Sequence, residues 1–101
     1  MSNKNINNQQ LNPIYLDQLT PDTLIRVLKA LNNVTTKELA EMLGVSYPNL
    51  SAVEGGRLTC GSKLQMALIT FCNLDPKAFL IQVEIFNTLV SFKGVNTNGT
   101  H

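Results

Sequence analysis

The chain of 101 residues contains one histidine, two cysteines, no tryptophan and few charged residues. The histidine is His101, and the seven acidic residues are scattered along the sequence. Metal sites and nucleophilic or acid–base catalytic sites are built from clusters of histidine, cysteine and carboxylate groups, and no such cluster is visible. We therefore predict that the protein is not an enzyme and has no cofactor, no metal site and no small-molecule substrate.

Long apolar runs are also missing from the sequence. No stretch reaches the roughly 20 apolar residues that a membrane-spanning helix requires, and the opening MSNKNINNQQ is too polar for a secretory signal peptide. These features predict a cytoplasmic protein without a membrane partner. In that compartment Cys60 and Cys72 are expected to be reduced thiols that act as small packing residues.

The distribution of polar residues predicts one central domain. Residues 1–12 and 93–101 are polar and are expected to be flexible tails around a domain at residues 13–92. Apolar residues make up 44% of the chain, which is enough for one modest core. Eight basic and seven acidic residues give a net charge of +1. Any binding to nucleic acid would therefore depend on local arrangement rather than on a strongly basic surface.

Residues with capping properties divide the domain into five helices. The start signals are Thr20-Pro21, Thr35 with Glu38, Ser46, Ser62 with Gln65, and Asp75-Pro76. The predicted helices span residues 21–32, 36–43, 47–54 and 63–72, followed by a fifth that begins at residue 76. Gly44 ends the second helix and Gly55-Gly56 ends the third.

The fifth segment, FLIQVEIFNTLVSF at residues 79–92, leaves helix and strand both open. Its apolar residues satisfy helical spacing, but some of them also alternate with Gln82 and Glu84 as they would in a strand. We favour a helix because Asp75-Pro76 leads into the segment and no turn residue interrupts it. The predicted fold class is then all-α.

The second and third helices are joined by a corner of only a few residues. Such a corner needs a residue that accepts a positive φ and a small residue where the two backbones meet, and Gly44 and Ala40 meet these needs. Leu39, Leu43, Val45, Leu50 and Val53 are expected to lock the pair from inside. This helix-turn-helix geometry leaves the outward face of the third helix free to enter a major groove of DNA.

The residues around this corner resemble the phage repressor and Cro-type helix-turn-helix family, also called the lambda-repressor-like or xenobiotic-response-element family. The segment ELAEMLGVSYPNLSAVEGG, residues 38–56, carries the resemblance, which extends over residues 21–80. It implies a compact five-helix lambda-repressor-like domain, in which helix 47–54 recognises double-stranded DNA. The implied function is a sequence-specific transcriptional regulator of the repressor type that binds a palindromic operator.

The resemblance also implies roles for individual residues. Ser46, Tyr47, Asn49 and Ser51 match positions that reach base edges or flanking phosphates, and Ala52 matches a position that can meet a thymine methyl group. Thr36, Gly56 and Arg57 match phosphate-contacting positions, and Glu54 matches an acid that pairs with a basic residue of the first helix, here Lys29. From their positions beside the motif, Lys37, Arg57 and Lys63 are also expected to neutralise phosphates. Direct reading of bases is predicted to be thin, since the exposed face of helix 47–54 has no arginine, lysine or glutamine.

The last segment has more apolar residues than one helix face can bury in a small core. Members of the resembled family often dimerise through their C-terminal helix. We therefore predict a homodimer whose interface includes Phe79, Val83, Phe86, Leu89 and Val90. The alternative is that a long fifth helix wraps its own core. A second functional class also stays open, a protein-interaction module such as an antirepressor, an anti-defence protein or an antitoxin, because the charge is weak.

Overall fold

The computed structural model describes residues 15–99, with side chains for residues 15–93. These residues form one turn of 3-10 helix and five α-helices, and no strand occurs among them. The elements are the 3-10 turn Leu16–Gln18, α1 (Pro21–Asn32), α2 (Thr36–Leu43), α3 (Tyr47–Glu54), α4 (Ser62–Cys72) and α5 (Pro76–Gly99). The prediction of a compact all-α domain with five helices is confirmed. The tail predicted at residues 1–12 lies outside the described residues.

Most of the predicted helix boundaries follow from local caps. At the start of α2 the hydroxyl of Thr35 accepts from the backbone N–H of Glu38, and the Glu38 side chain accepts from the N–H of Thr35. Ser46 accepts from the backbone N–H of Asn49 at the start of α3. Each bond satisfies a donor that the first turn of a helix leaves unpaired. These short-range interactions explain why the sequence was sufficient to find the two starts.

The predicted capping box at the start of α4 is wrong. Gly61 takes the N-cap position with no side-chain bond, and Ser62 is already the first residue of the helix. The Gln65 side chain donates instead to the carbonyl oxygen of Cys60, at 2.9 Å. The capping residue was misassigned because the extended backbone that a cap requires falls one residue earlier, at Gly61.

The last segment is a helix and not a strand, as favoured. It continues to Gly99, into the residues 93–101 that were expected to form a flexible tail. Glycine lowers helix propensity by about 1 kcal/mol relative to alanine. It does not remove a backbone donor or clash with the preceding turn as proline does. The polar composition after Phe92 therefore contains no stop signal.

The core draws on every helix. Its buried members are Leu24, Ile25, Leu28, Leu39, Ala40, Leu50, Val53, Cys60, Leu64, Leu68, Leu74, Phe79, Val83 and Phe86. The predicted inner residues of the α2–α3 pair all belong here, with Leu43 and Val45 partly buried against the core. Among the described residues, no helix is long and apolar enough to cross a membrane.

The face of α5 that packs on this core corrects the predicted dimer residues. Phe79, Val83 and Phe86 are buried within the molecule's own core, and Val90 packs against them, so these four do not form a free surface. Of the predicted interface only Leu89 is well exposed. A different apolar set faces outward on the same helix, and we call it the outer stripe: Ile81, Ile85, Leu89 and Phe92.

Candidate nucleic-acid interface

The corner between α2 and α3 is closed by backbone hydrogen bonds around Gly44. Gly44 has a φ of 73°, and the next N–H, that of Val45, donates to the carbonyl of Ala40 at 3.0 Å. This pattern satisfies carbonyls at the end of α2 and requires a left-handed residue at its centre. Ala40 is 1% exposed, and its small side chain lets the two helices approach. The expected roles of Gly44 and Ala40 are confirmed.

The carboxylate of Glu54, at the end of α3, joins the first three helices. It accepts from the Lys29 ammonium of α1 at 2.8 Å and from the Thr36 hydroxyl of α2 at 2.9 Å. Arg26 donates to the backbone carbonyl of Glu54 at 2.9 Å. The pairing of Lys29 with Glu54 inferred from the resemblance is confirmed, and its role is structural.

The same contacts set the pKa of Glu54. Desolvation raises the pKa, but hydrogen bonds from Lys29 and Thr36 and the charges of Lys29 and Arg26 outweigh it, so the pKa of Glu54 lies below its ordinary value. The carboxylate is therefore ionised at neutral pH. It holds α3 against α1 and α2 and makes no contact on the opposite face of α3.

Two of the predicted phosphate contacts are occupied by internal bonds. The hydroxyl proton of Thr36 is donated to Glu54, so this side chain has no donor left for a phosphate, and only its backbone N–H remains. Gly56 has a φ of 73° and its N–H donates to the carbonyl of Val53 at 3.0 Å. Gly56 thus ends α3 and cannot donate to a phosphate. Both roles were carried over from the resemblance, which gives positions but not hydrogen-bond partners.

The outward face of α3 is open. Tyr47 is 47% exposed, and Pro48 and Asn49 are also exposed, whereas Ser51 and Ala52 are partly covered. At about 100° per residue, Tyr47, Pro48, Ser51 and Ala52 lie on the half of the helix away from the buried residues. Asn49 lies at the edge of this half, toward α4. The predicted base-contacting residues therefore do not all lie on the same face of α3.

Ser46 and Asn49 line a cleft between the N-terminal ends of α3 and α4. Its volume is about 220 Å³, and its other lining residues are Val45, Gly61, Lys63 and Leu64. Both helix starts direct partial positive charge toward the cleft. The first turn of α4 has no side-chain cap and adds unpaired N–H groups, whereas in α3 Pro48 has no N–H and that of Asn49 is bonded to Ser46. Lys63 adds a full positive charge. The cleft can therefore accommodate an anionic group, and it brings the predicted residues Ser46, Asn49 and Lys63 together.

The loop after α3 has two cations beside its glycines. The guanidinium of Arg57 folds back over Gly55, at the place where a β-carbon would lie, and donates to the Ser51 carbonyl at 3.5 Å. The ammonium of Lys93, on α5, lies 3.7 Å from the point that a β-carbon on Gly56 would occupy. Sequence reasoning missed Lys93, because only the tertiary packing of α5 brings it to this loop.

A side chain of α5 also holds the far end of this loop. The Asn87 amide accepts from the N–H of Cys60 at 2.7 Å and donates to the carbonyl of Cys60 at 3.2 Å, and Gln65 donates to the same carbonyl. Burial of Cys60 raises the pKa of its thiol to about 12, in line with a packing role. Asn87 was also missed. The available signal was the amide of Asn87 between the apolar residues of IFNTLV.

The remaining cation of the predicted set, Lys37, is exposed in the first turn of α2. The ion pairs among the described residues are Arg26 with Asp22 and Lys29 with Glu54. Lys37, Arg57, Lys63 and Lys93 are thus not paired with any described carboxylate. Within the same part of the chain, no three histidine, cysteine or acidic residues lie close enough to hold a metal ion.

No protein-family model, curated protein or solved structure matches the chain.

Proposed function

We propose that the chain is a sequence-specific DNA-binding transcriptional regulator of the repressor type, related to the phage repressor and Cro-type family. In this proposal α3 enters the major groove of double-stranded DNA. The observation that carries it is the α2–Gly44–α3 pair, whose third helix is anchored from behind through Glu54 and open in front. Such a regulator would act in the cytoplasm.

The dimensions and side chains of α3 suit a groove. An α-helix with its side chains is about 10–12 Å across, which fits the major groove of B-DNA, about 12 Å wide. Ser51 and Ala52 are small, so the helix axis can approach the base edges closely. Tyr47 supplies an aromatic surface for a thymine methyl group and a hydroxyl for a phosphate.

The phosphate contacts proposed here differ from the predicted set. Lys37 lies in the first turn of α2, and Lys63 lines the cleft at the N-terminal end of α3. Lys93 lies beside the loop at its other end. Three contacts in each half-site would give about six for a dimer, and a slope of log affinity against log salt near −5. This local arrangement makes binding compatible with a net charge of +1.

The proposed oligomer is a homodimer formed through the outer stripe. Ile81 and Phe92 are 60% and 65% exposed, and apolar side chains of this size on one helix face are typical of a protein interface. A dimer would present two α3 helices to half-sites about 34 Å apart. Sedimentation should show a dimer for the natural chain and a monomer for Ile85→Glu. A Leu31→Glu control, at an exposed apolar residue of α1, should stay dimeric, and a dimeric Ile85→Glu would refute this interface.

The outer stripe also favours a second candidate, a protein-interaction module with the same fold. In that case the stripe would bind a different protein, and α3 would have no nucleic-acid ligand. Titration onto mixed-sequence duplex at about 50 and 200 mM salt separates the two candidates. A DNA binder should bind at the lower concentration and lose affinity by orders of magnitude at the higher. An absence of binding at both concentrations would leave the interaction module.

A further inference from the structure

We propose that Arg57 is the guanine-reading residue of this interface rather than one of its phosphate contacts. The inference rests on the proposed DNA binding and deepens it, because it names the base that each half-site must contain. The sequence placed Arg57 in the loop beyond α3, outside the recognition surface. In the structure, however, the guanidinium of Arg57 lies at the recognition surface.

The guanidinium lies in line with the outward face of α3. Gly55 follows the last residue of that helix, with a φ of −84° and a ψ of 0° that nearly continue its course. At about 100° per residue, position 55 falls between Ser51 and Ala52 around the helix axis. A β-carbon at this position would overlap the Arg57 guanidinium. Arg57 therefore fills the outward position that Gly55 leaves empty.

The guanidinium is also available to a ligand. Neither of the ion pairs among the described residues includes Arg57. Its bond to the Ser51 carbonyl is 3.5 Å long, at the weak limit of hydrogen bonding. The planar group carries five N–H donors and matches the two acceptors, O6 and N7, that guanine presents in the major groove.

The residues of α3 itself offer no arginine or lysine that could read a guanine. No arginine, lysine or glutamine lies on α3 itself, and its one amide, Asn49, sits at the edge toward the α4 cleft. Phosphates have other partners, since Lys37, Lys63 and Lys93 are exposed around the helix. A lysine ammonium neutralises a phosphate as a point charge, whereas bidentate reading of guanine favours the rigid fork of arginine.

The test compares Arg57→Lys and Gly55→Ala with the natural chain. Duplexes selected from random DNA by the natural chain give the operator, and mixed duplex gives the non-specific affinity. Arg57→Lys keeps the charge but loses the fork, and Gly55→Ala keeps the arginine but displaces its guanidinium. Each should weaken operator binding about 5- to 150-fold per half-site and relax the preference for one guanine. Non-specific affinity should change little. Lys63→Ala is the contrast, and it should weaken both affinities together.

Three results would overturn the inference. The first is an Arg57→Lys variant that binds operator as the natural chain does. The second is an Arg57→Ala variant that loses operator and mixed-duplex affinity equally, which would make Arg57 a phosphate contact. The third is an Arg57→Ala variant with a lowered melting temperature and unchanged discrimination, which would make it a helix cap. A natural chain that binds no duplex at all would instead refute the proposed function.

Discussion

Removal of the Glu54 carboxylate is expected to loosen the contact of α3 with α1 and α2. In a Glu54→Ala variant, Lys29 and Thr36 lose the acceptor that they share. A hydrogen bond to a charged group contributes about 1.5–3 kcal/mol when shielded, and an exposed ion pair about 0–1 kcal/mol. The side chains of Lys29 and Glu54 are 28% and 16% exposed to solvent, so the pair is partly shielded. We therefore expect an intermediate loss of about 2 kcal/mol.

Thermal and urea unfolding followed by circular dichroism would measure this loss. For a domain of this size about 2 kcal/mol corresponds to a decrease in Tm of about 8–16 °C. Glu84→Ala is the matched control, because Glu84 is an exposed glutamate of α5 without a described ion pair. If Glu54→Ala and Glu84→Ala unfold within about 0.5 kcal/mol of each other, the account of Glu54 as the joint between the helices is wrong.

The pH dependence gives the same argument a second test. The pKa of Glu54 in the folded chain is lowered from its ordinary value of 4.5, so the unfolded chain takes up this proton first. The contribution of the carboxylate is fully present above that ordinary value and is lost as the pH falls through the lower folded value. The stability difference between the natural chain and Glu54→Gln should therefore narrow on acidification below pH 4.5. A stability difference that stays constant on acidification would contradict the lowered pKa of Glu54.

Further predictions concern the contacts of α5 with the loop after α3. Lys93→Gln should lower the affinity for mixed duplex and reduce the magnitude of the salt slope by about 1 for each half-site, whereas Lys77→Gln, at the opposite end of α5, should change neither. Equal effects of the two substitutions would exclude Lys93 from the interface. Asn87→Ala leaves the N–H of Cys60 without its acceptor and should cost about 1–3 kcal/mol of stability. Hydrogen exchange should then speed up at the amide of Cys60, and unchanged exchange there would mean that Asn87 does not hold the loop.

The elements that could be predicted from the sequence are those with local causes. The capping box of Thr35 with Glu38 and the left-handed turn at Gly44 each involve residues a few positions apart. Their chemistry can therefore be read from a short segment. The pairing of Lys29 with Glu54 joins distant residues, and it was found only because the motif resembles a known family.

The features that the sequence missed depend on packing between distant segments. On α5, apolar residues surround nearly the whole helix, so periodicity cannot distinguish the buried Phe79 and Val83 from the exposed Ile81 and Ile85. The approach of Lys93 to Gly56 and the return of Arg57 over Gly55 depend on how α5 and the loop fold together. No local preference specifies either contact. The proposed phosphate contact of Lys93 and the proposed guanine contact of Arg57 therefore required the three-dimensional structure.

Amide chemical-shift mapping would show whether the open face of α3 binds the duplex. The labelled chain would be titrated with a duplex selected from random sequences, in the presence of unlabelled competitor DNA. We expect the largest shifts between residues 46 and 57, with smaller ones near Lys63 and Lys93. Shifts confined to the outer stripe, or an unchanged spectrum at saturating duplex, would contradict binding through α3.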